Sequence, residues 1–247
     1  MHFLLTRDPK SSTEWIEVLV NAGHKVTCLP LTKIEPPVDG YRAFDRMIQD
    51  ISHYDVILLT SKTAVRIFAE RLSATGCVIS ENTDFWTVGE ATARGIQEKW
   101  KKMALYSKES SGIEGLMALL QSKKLYGRKI FWPRSNLSEN IFISFLEKSG
   151  AEVCAIEAYQ TKTDMSKKGN LSAELQKKPD AVVFFSPSQV EAFSQMALFD
   201  SICIAVGNTA GEALRNNKKT LSLKILQMDR ATPTDLRQVI QKEFLKS

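Results

Sequence analysis

Residues 55–68, DVILLTSKTAVRIF, decide the fold. Val56, Ile57, Leu58 and Leu59 form a short apolar run, the pattern of a strand buried on both faces of a parallel sheet. Thr60 and Ser61 stop the run. Ser61 stands where a helix N-cap belongs, and Ala64, Val65 and Phe68 supply the apolar stripe of the helix that follows. The stretch recurs at 180–193, DAVVFFSPSQVEAF, with Asp, apolar run, serine, turn and Phe in the same order at the same spacing. Pro187 follows Ser186, and proline is favoured at the first helical position. A repeated strand–serine–helix unit leaves unpaired backbone N–H groups at two helix starts, and these are ready-made anion sites.

The same doubling extends outward. Residues 3–33 read as strand, helix and strand, with Ser11 and Glu14 at capping-box spacing, Trp15, Leu19 and Ala22 as the core stripe, and Gly23 as the stop before a strand at 26–31. Residues 130–162 repeat the design, with Asn136 and Glu139 as the cap, Phe142 and Leu146 as the stripe, and Gly150 as the stop. In both copies an arginine, Arg7 or Arg134, ends the first strand at the same distance before that glycine. Residues 85–96, FWTVGEATARGI, are echoed by 203–214, CIAVGNTAGEAL, with Gly89 and Gly207 in matching places; the second copy departs in carrying its threonine, Thr209, one position earlier than Thr92. Short segments at 103–106 and 223–228 read as further strands, and 107–116 and 229–236 as polar turns opening helices. Pro36-Pro37 makes 34–40 an extended crossing segment, and 161–170, TKTDMSKKGN, has linker composition. The chain is thus two copies of a βα array, 1–122 and 125–247, and alternating strands and helices imply parallel sheets with right-handed crossovers.

Composition narrows the function. With 247 residues, 43% apolar and 25% charged, an ordinary globular protein of one large or two small domains is expected. The first residues, MHFLLTRDPK, do not read as a signal peptide, and no apolar run approaches the roughly 18 residues of a membrane helix. Cys28, Cys77, Cys154 and Cys203 are widely spaced without a CxxC, and read as small buried hydrophobes in a reducing cytoplasm. The three histidines, His2, His24 and His53, fall in no recurring motif, which speaks against a metal site or a histidine triad. The net charge of +5 is carried partly on scattered lysine pairs, which read as solvated helix ends. Without interleaved aromatics or a single basic stripe they do not point to nucleic acid. GxGxxG is absent, because GEATARG and GNTAGEA have the wrong spacing for a dinucleotide turn.

Arg7, Ser61, Gly89, Ser107, Arg134, Ser186 and Gly207 all fall at expected strand ends, where ligands of open parallel sheets bind. The ordered set LLTR, VILLTSKTAV, VGEATA, GRKIFWPRSN, GAEVCAIEAYQT, FFSPSQVEAF and AVGNTAGEAL resembles the uroporphyrinogen-III synthase family over nearly the whole chain. The resemblance implies two similar α/β domains, doubly wound parallel sheets of the Rossmann or flavodoxin-like kind, joined by a two-stranded linker. Domain one would comprise 1–33 plus 169–247, domain two 41–158, and the connections 34–40 and 159–168. It further implies a cyclising hydro-lyase of tetrapyrrole (heme) biosynthesis. Such an enzyme closes hydroxymethylbilane to uroporphyrinogen III with loss of water and inversion of ring D, and needs no cofactor. The expected partner is the polycarboxylate substrate alone, bound by a cytoplasmic monomer with no nucleic acid and no membrane.

On that resemblance Tyr159 is the candidate general acid for the departing hydroxyl, or else a tyrosine packed at the domain mouth. Ser61, Ser186 and Ser188 are N-caps first and substrate contacts second, and Thr92 and Thr209 are read in the same way. The helix starts after Gly89 and Gly207 offer backbone N–H groups to carboxylates. Arg7 and Arg134 are candidate bidentate partners or surface ion pairs, and Lys62 is a solvated lysine or a cleft-facing one. Two rival readings fit the same sequence: a non-catalytic two-lobed protein gripping an anionic small molecule, and a regulatory nucleic-acid binder.

Overall fold

The computed structural model describes all residues except Ser111, Leu221, Ser222, Asp229 and 245–247. The strands are β1 (His2–Leu5), β2 (Lys25–Cys28), β3 (Thr32–Glu35), β4 (Val56–Leu58), β5 (Asp84–Trp86), β6 (Ala104–Leu105), β7 (Lys129–Ser135), β8 (Glu152–Thr163), β9 (Ala181–Phe184), β10 (Ile202–Ala205) and β11 (Ile225–Gln227). The helices are α1 (Thr13–Asn21), α2 (Arg42–Ile48), α3 (Lys62–Thr75), α4 (Glu90–Trp100), α5 (Gly112–Leu120), α6 (Ile141–Lys148), α7 (Lys168–Gln176), α8 (Pro187–Met196), α9 (Asn208–Asn216) and α10 (Pro233–Phe244). Two compact units result, 1–33 with 162–247, and 34–161. Both chain crossings fall within β3 and β8, which lie side by side in one sheet.

In the first unit the sheet order is β11-β10-β9-β1-β2, every pair parallel. The second unit repeats it as β6-β5-β4-β7-β8, again parallel, with β3 added outside β8. The opening βαβ of each sequence copy therefore pairs with the later strands of the other copy. Alternation along the strands builds two core layers per unit. Leu4, Val182 and Phe184 pack with α8 and α9 on one face, while Phe3, Leu5 and Val183 pack with α1 and α10 on the other. In the second unit Ile57 and Phe131 meet α2, α3 and α4, and Val56, Leu58 and Trp132 meet α5 and α6. Each fully buried side chain of this size stabilises by about 1.5–3 kcal/mol, so both faces of both sheets are strongly specified.

Several local expectations are corrected. Ser11 and Glu14 do not form a capping box: Ser11 lies inside a 3-10 turn, Lys10–Ser12, and Asp8 accepts from the Ser11 amide at 3.0 Å and from its hydroxyl. Asn136 caps no helix, because α6 starts at Ile141; its side chain instead accepts from the Thr161 amide at 2.8 Å. Ala22 is exposed at the end of α1 and adds nothing to the core stripe. Residues 161–170 are regular structure rather than loop: β8 runs to Thr163, and the Asp164 carboxylate accepts from the Ser166 hydroxyl at 2.6 Å to turn the chain into α7. Their polarity reflects a helix that buries only Leu171. α2 had no expected counterpart; Asp39 starts it by accepting from the Ala43 amide at 2.7 Å, and Phe44 and Ile48 bury its inner face. Of the cysteines only Cys203 is buried; Cys28, Cys77 and Cys154 are half-buried, and all four are free. In the polar turns at 107–116 and 229–236, Ser111 and Asp229 lie outside the described residues.

The two matched glycines differ in backbone. Gly207, before α9, has φ 90° and ψ 171°, a region essentially reserved for glycine. Gly89, before α4, has φ 179°, which any residue adopts, and open space where a Cβ would stand. Gly207→Ala is therefore expected to lower stability by about 1–3 kcal/mol, and Gly89→Ala by far less, in urea unfolding. Equal losses would contradict this reading of the two turns.

Candidate active site

Sheets wound in this order bind ligands beyond the carboxyl ends of their strands, where the winding reverses. In the second unit that point lies between β7 and β4, and in the first between β1 and β9.

At the β4 end, Ser61 adopts extended backbone and its Oγ accepts from the Ala64 amide at 3.0 Å, capping α3. The same Oγ lies 2.9 Å from the Tyr159 hydroxyl. A bulge makes this pairing possible. Arg134 faces Glu157 across β7 and β8, but Ser135 faces Tyr159, so β8 carries one extra residue there. Ala158 and Tyr159 consequently pack in the same core layer, although neighbours in a strand normally point to opposite faces. Tyr159 is only 6% exposed. Burial pushes its phenol up from the usual range, against a smaller opposing effect of the Ser61 bond, so the group holds its proton throughout the neutral range. Lys62, the first residue of α3, is exposed.

Arg134, at the end of β7, is already engaged. Its Nη1 donates to Asn140 Oδ1 at 2.8 Å, its Nη2 donates to the Ser138 carbonyl, and the guanidinium lies over the Trp132 ring at 5.2 Å. Arg7, its counterpart at the end of β1, is different. It lies over the Phe185 ring at 5.3 Å and, among the described residues, makes no hydrogen bond or ion pair. Burial lowers its pKa, with Asp8 opposing the shift. A half-buried guanidinium with Asp8 near it but no carboxylate hydrogen-bonded to it keeps its paired donors open.

The turn beneath Arg7 is braced by side-chain contacts. Gln189 Oε1 accepts from the Thr6 hydroxyl and from the Phe185 amide, both at 2.8 Å, and Trp15 meets Phe185 edge-on at 5.1 Å. Gln189, Thr6 and Phe185 escaped the sequence reading. One signal pointed to Gln189: it replaces Ala64 of the other copy at a stripe position, and a polar residue there needs partners when buried. Ser186 occupies the N-cap position of α8 but makes no capping bond; its hydroxyl lies 3.0 Å from that of Ser188. Ser188 is not a cap, being the second residue of the helix. Gly89 and Thr92 stand at the β5 end, with Thr92 buried and its amide donating to the Gly89 carbonyl at 3.2 Å. Gly207 and the exposed Thr209 stand at the β10 end. The structure thus joins Ser61 to Tyr159 directly, and Arg7 to the Ser186 turn through Phe185. Among the described residues no group of three or more His, Cys, Asp or Glu is placed to hold a metal.

The family model for uroporphyrinogen-III synthase HemD matches residues 13–223, through both units. The chain belongs to the uroporphyrinogen-III synthase family. A relative from Methanothermobacter thermautotrophicus, named for uroporphyrinogen-III synthase, is 27% identical over 197 residues, covering 78% of this chain and 76% of its own. The porphyrin biosynthesis protein HemD of Ruminiclostridium josui is 24% identical over 226 residues, 86% of this chain; the chain spans 43% of that longer protein. Among solved structures, a mutant uroporphyrinogen III synthase of Thermus thermophilus superposes with a TM-score of 0.65 at 20% identity, covering 98% of this chain and 100% of the other. The Helicobacter pylori enzyme gives 0.61 at 17% identity, covering 98% and 99%. These likenesses establish the same two-domain α/β fold, and the family match favours an enzyme over a non-catalytic binding protein.

The buried phenol has a measurable consequence. An unfolded tyrosine ionises near pH 10, while folded Tyr159 holds its proton to higher pH. Between the two the unfolded chain has fewer protons, so stability falls as pH rises above about 10. Tyr159→Phe should unfold in urea with a shallower loss over that alkaline range than the unsubstituted protein. Equal slopes would place the phenol in solvent.

Proposed function

We propose that this chain closes hydroxymethylbilane to uroporphyrinogen III, with loss of water and inversion of ring D, using the carboxyl-end turns just described. The observation that carries this reading is the family match through residues 13–223. The linear substrate closes unaided to the type I isomer. The protein's task is therefore to hold it folded so that inversion wins, and positioning of this kind can be worth up to roughly 7–11 kcal/mol in ideal cases.

Carboxylate side chains are the handles. Arg7, free of any protein acceptor, takes one bidentately. The first amides of α3, α4, α8 and α9, beginning after Ser61, Gly89, Ser186 and Gly207, take others. Ser188, Thr92 and Thr209 stand in the first turns of those helices, and Lys62 adds attraction from α3. Each helix-end contact contributes about 0.3–1 kcal/mol, so the load is shared. Arg134 acts through its loop, since its donors are engaged there.

Tyr159, neutral and hydrogen-bonded to Ser61, supplies the proton with which the hydroxyl departs as water. The azafulvenium cation that remains is attacked by the ring D carbon that already carries the bridge to ring C. That older bridge bond then breaks, the freed methylene recloses on the unsubstituted α-carbon of ring D, and the proton lost from that carbon returns to the Tyr159 phenolate. No step calls for a cofactor. The two units serve as the enzyme's domains, 1–33 with 169–247 and 41–158, joined through 34–40 and 159–168; the crossings within β3 and β8 support that division. The enzyme works as a cytoplasmic monomer whose only partner is the substrate, without nucleic acid or membrane. Four free thiols suit a reducing compartment, and no described helix is long and apolar enough to cross a membrane.

The test is a coupled assay in which hydroxymethylbilane is generated with and without the protein, and the oxidised products are resolved into type I and type III isomers. Type III is expected only with the protein. Arg7→Gln should raise KM roughly 10- to 150-fold, the loss of a charge-assisted contact worth about 1.5–3 kcal/mol, with a larger share of type I. Type I alone from the unsubstituted protein would overturn the function, and an unchanged KM in Arg7→Gln would remove Arg7 from the site.

A further inference from the structure

The loop between β7 and α6 is held with unusual care. Ser135 Oγ donates to Asn136 Oδ1 at 3.1 Å and accepts from the Leu137 amide at 3.1 Å. The Asn136 amide donates to the Tyr159 carbonyl at 3.1 Å, and Asn136 Oδ1 accepts from the Thr161 amide at 2.8 Å. Arg134 closes the far side through the Ser138 carbonyl and Asn140 Oδ1. Asn140 occupies the N-cap position of α6, yet its side chain makes no capping bond; its oxygen goes to Arg134. The loop conformation is thus maintained at the expense of the ordinary cap.

What this loop presents is apolar. Leu137 is 55% exposed and Ile141 59% exposed, four residues apart at the carboxyl end of the sheet. They are not a hydrophobic staple, which would pair the residue before the cap with the fourth helical residue, here Glu139 with Ser144. Resting on the function proposed above, we propose that Leu137 and Ile141 form a preformed ledge for a pyrrole ring of the substrate, and that Arg134 is the positioning residue that holds the ledge in place. The occupant follows from continuity: the loop is bonded to Tyr159 and Thr161, and Tyr159 is bonded in turn to Ser61 in the candidate site. The four rings of a linear tetrapyrrole are flat and apolar between their carboxylate arms, so a site made only of anion donors would leave them in water. The contrast with Arg7 supports the assignment. Of two arginines at equivalent strand ends, one is free for a carboxylate and the other is committed to its own loop.

The test uses the full chain in the isomer-resolving assay. Leu137→Ser/Ile141→Ser should raise KM roughly tenfold or more, the scale of lost apolar pocket contacts, with a smaller change in kcat. Arg134→Gln should raise KM similarly. Combining all three substitutions should be no worse than either alone, because strut and ledge act as one element. Amide exchange at Leu137 and Ser138 should speed up in Arg134→Gln with global stability retained. An additive loss in the combined variant would make Arg134 a direct ligand and overturn its role as a strut. An unchanged KM in the double variant, while the unsubstituted protein still makes type III product, would overturn the ledge and leave the function standing. Sedimentation showing a dimer that the double variant abolishes would assign the pair to a second copy instead.

Discussion

Each opening strand of the duplicated array finds its parallel partner in the other half of the chain, and every other feature of the site depends on that pairing. β1 pairs with β9 through Phe3 opposite Ala181, and β7 pairs with β4 through Ile130 opposite Val56. A parallel ladder between segments so distant in sequence forms only after a large loop-closure cost, and two apolar layers per unit offset it. The geometric result is that an arginine at the end of an opening strand stands beside a serine turn donated by the other copy. Neither half of the chain taken alone contains both parts of either reversal point.

From equal beginnings the two ends have diverged in chemistry. In the second unit the serine both caps its helix and meets a buried phenol, while the arginine is drawn into its own loop. In the first unit the serine turns to its neighbour Ser188, a buried glutamine fixes the turn, and the arginine is left without an acceptor. One end thus carries a buried, protonated phenol and the other a guanidinium with no hydrogen-bonded acceptor among the described residues, the groups to which the proposed function assigns a proton transfer and a carboxylate contact. The phenol is held by its bond to Ser61, and the turn beneath the guanidinium is held by Gln189, both through hydrogen bonds at strand ends.

The fold was legible because its signals are local and repeated. Val56–Leu58 and 181–184 are short apolar runs, each closed by a serine before a helical stripe, and the repeat makes each reading support the other. The Ser61 cap was legible for the same reason. Spacing suggests caps at Ser11 and Asn136, but it cannot tell a capping serine from one inside a preceding 3-10 turn, or an N-cap asparagine from one that bonds a neighbouring strand. The Ser61–Tyr159 bond lay beyond sequence reasoning, since alternation places Tyr159 on the opposite face from Ala158 and only the bulge brings it round. The commitment of Arg134 was equally hidden, because Arg134 and Arg7 occupy the same place in the repeat and only their surroundings separate them.

The central claim is that the substrate is gripped at the carboxyl ends of the strands. Amide hydrogen exchange with and without uroporphyrinogen III, under anaerobic conditions, tests it most directly. The account predicts slowed exchange at the turns around Arg7, Ser61, Asn136 and Ser186, with the amino ends of the strands unaffected. Protection confined instead to the groove of about 430 Å³ between Asp84, Met103, Lys124 and Arg128, at the edge of the second sheet, would contradict it.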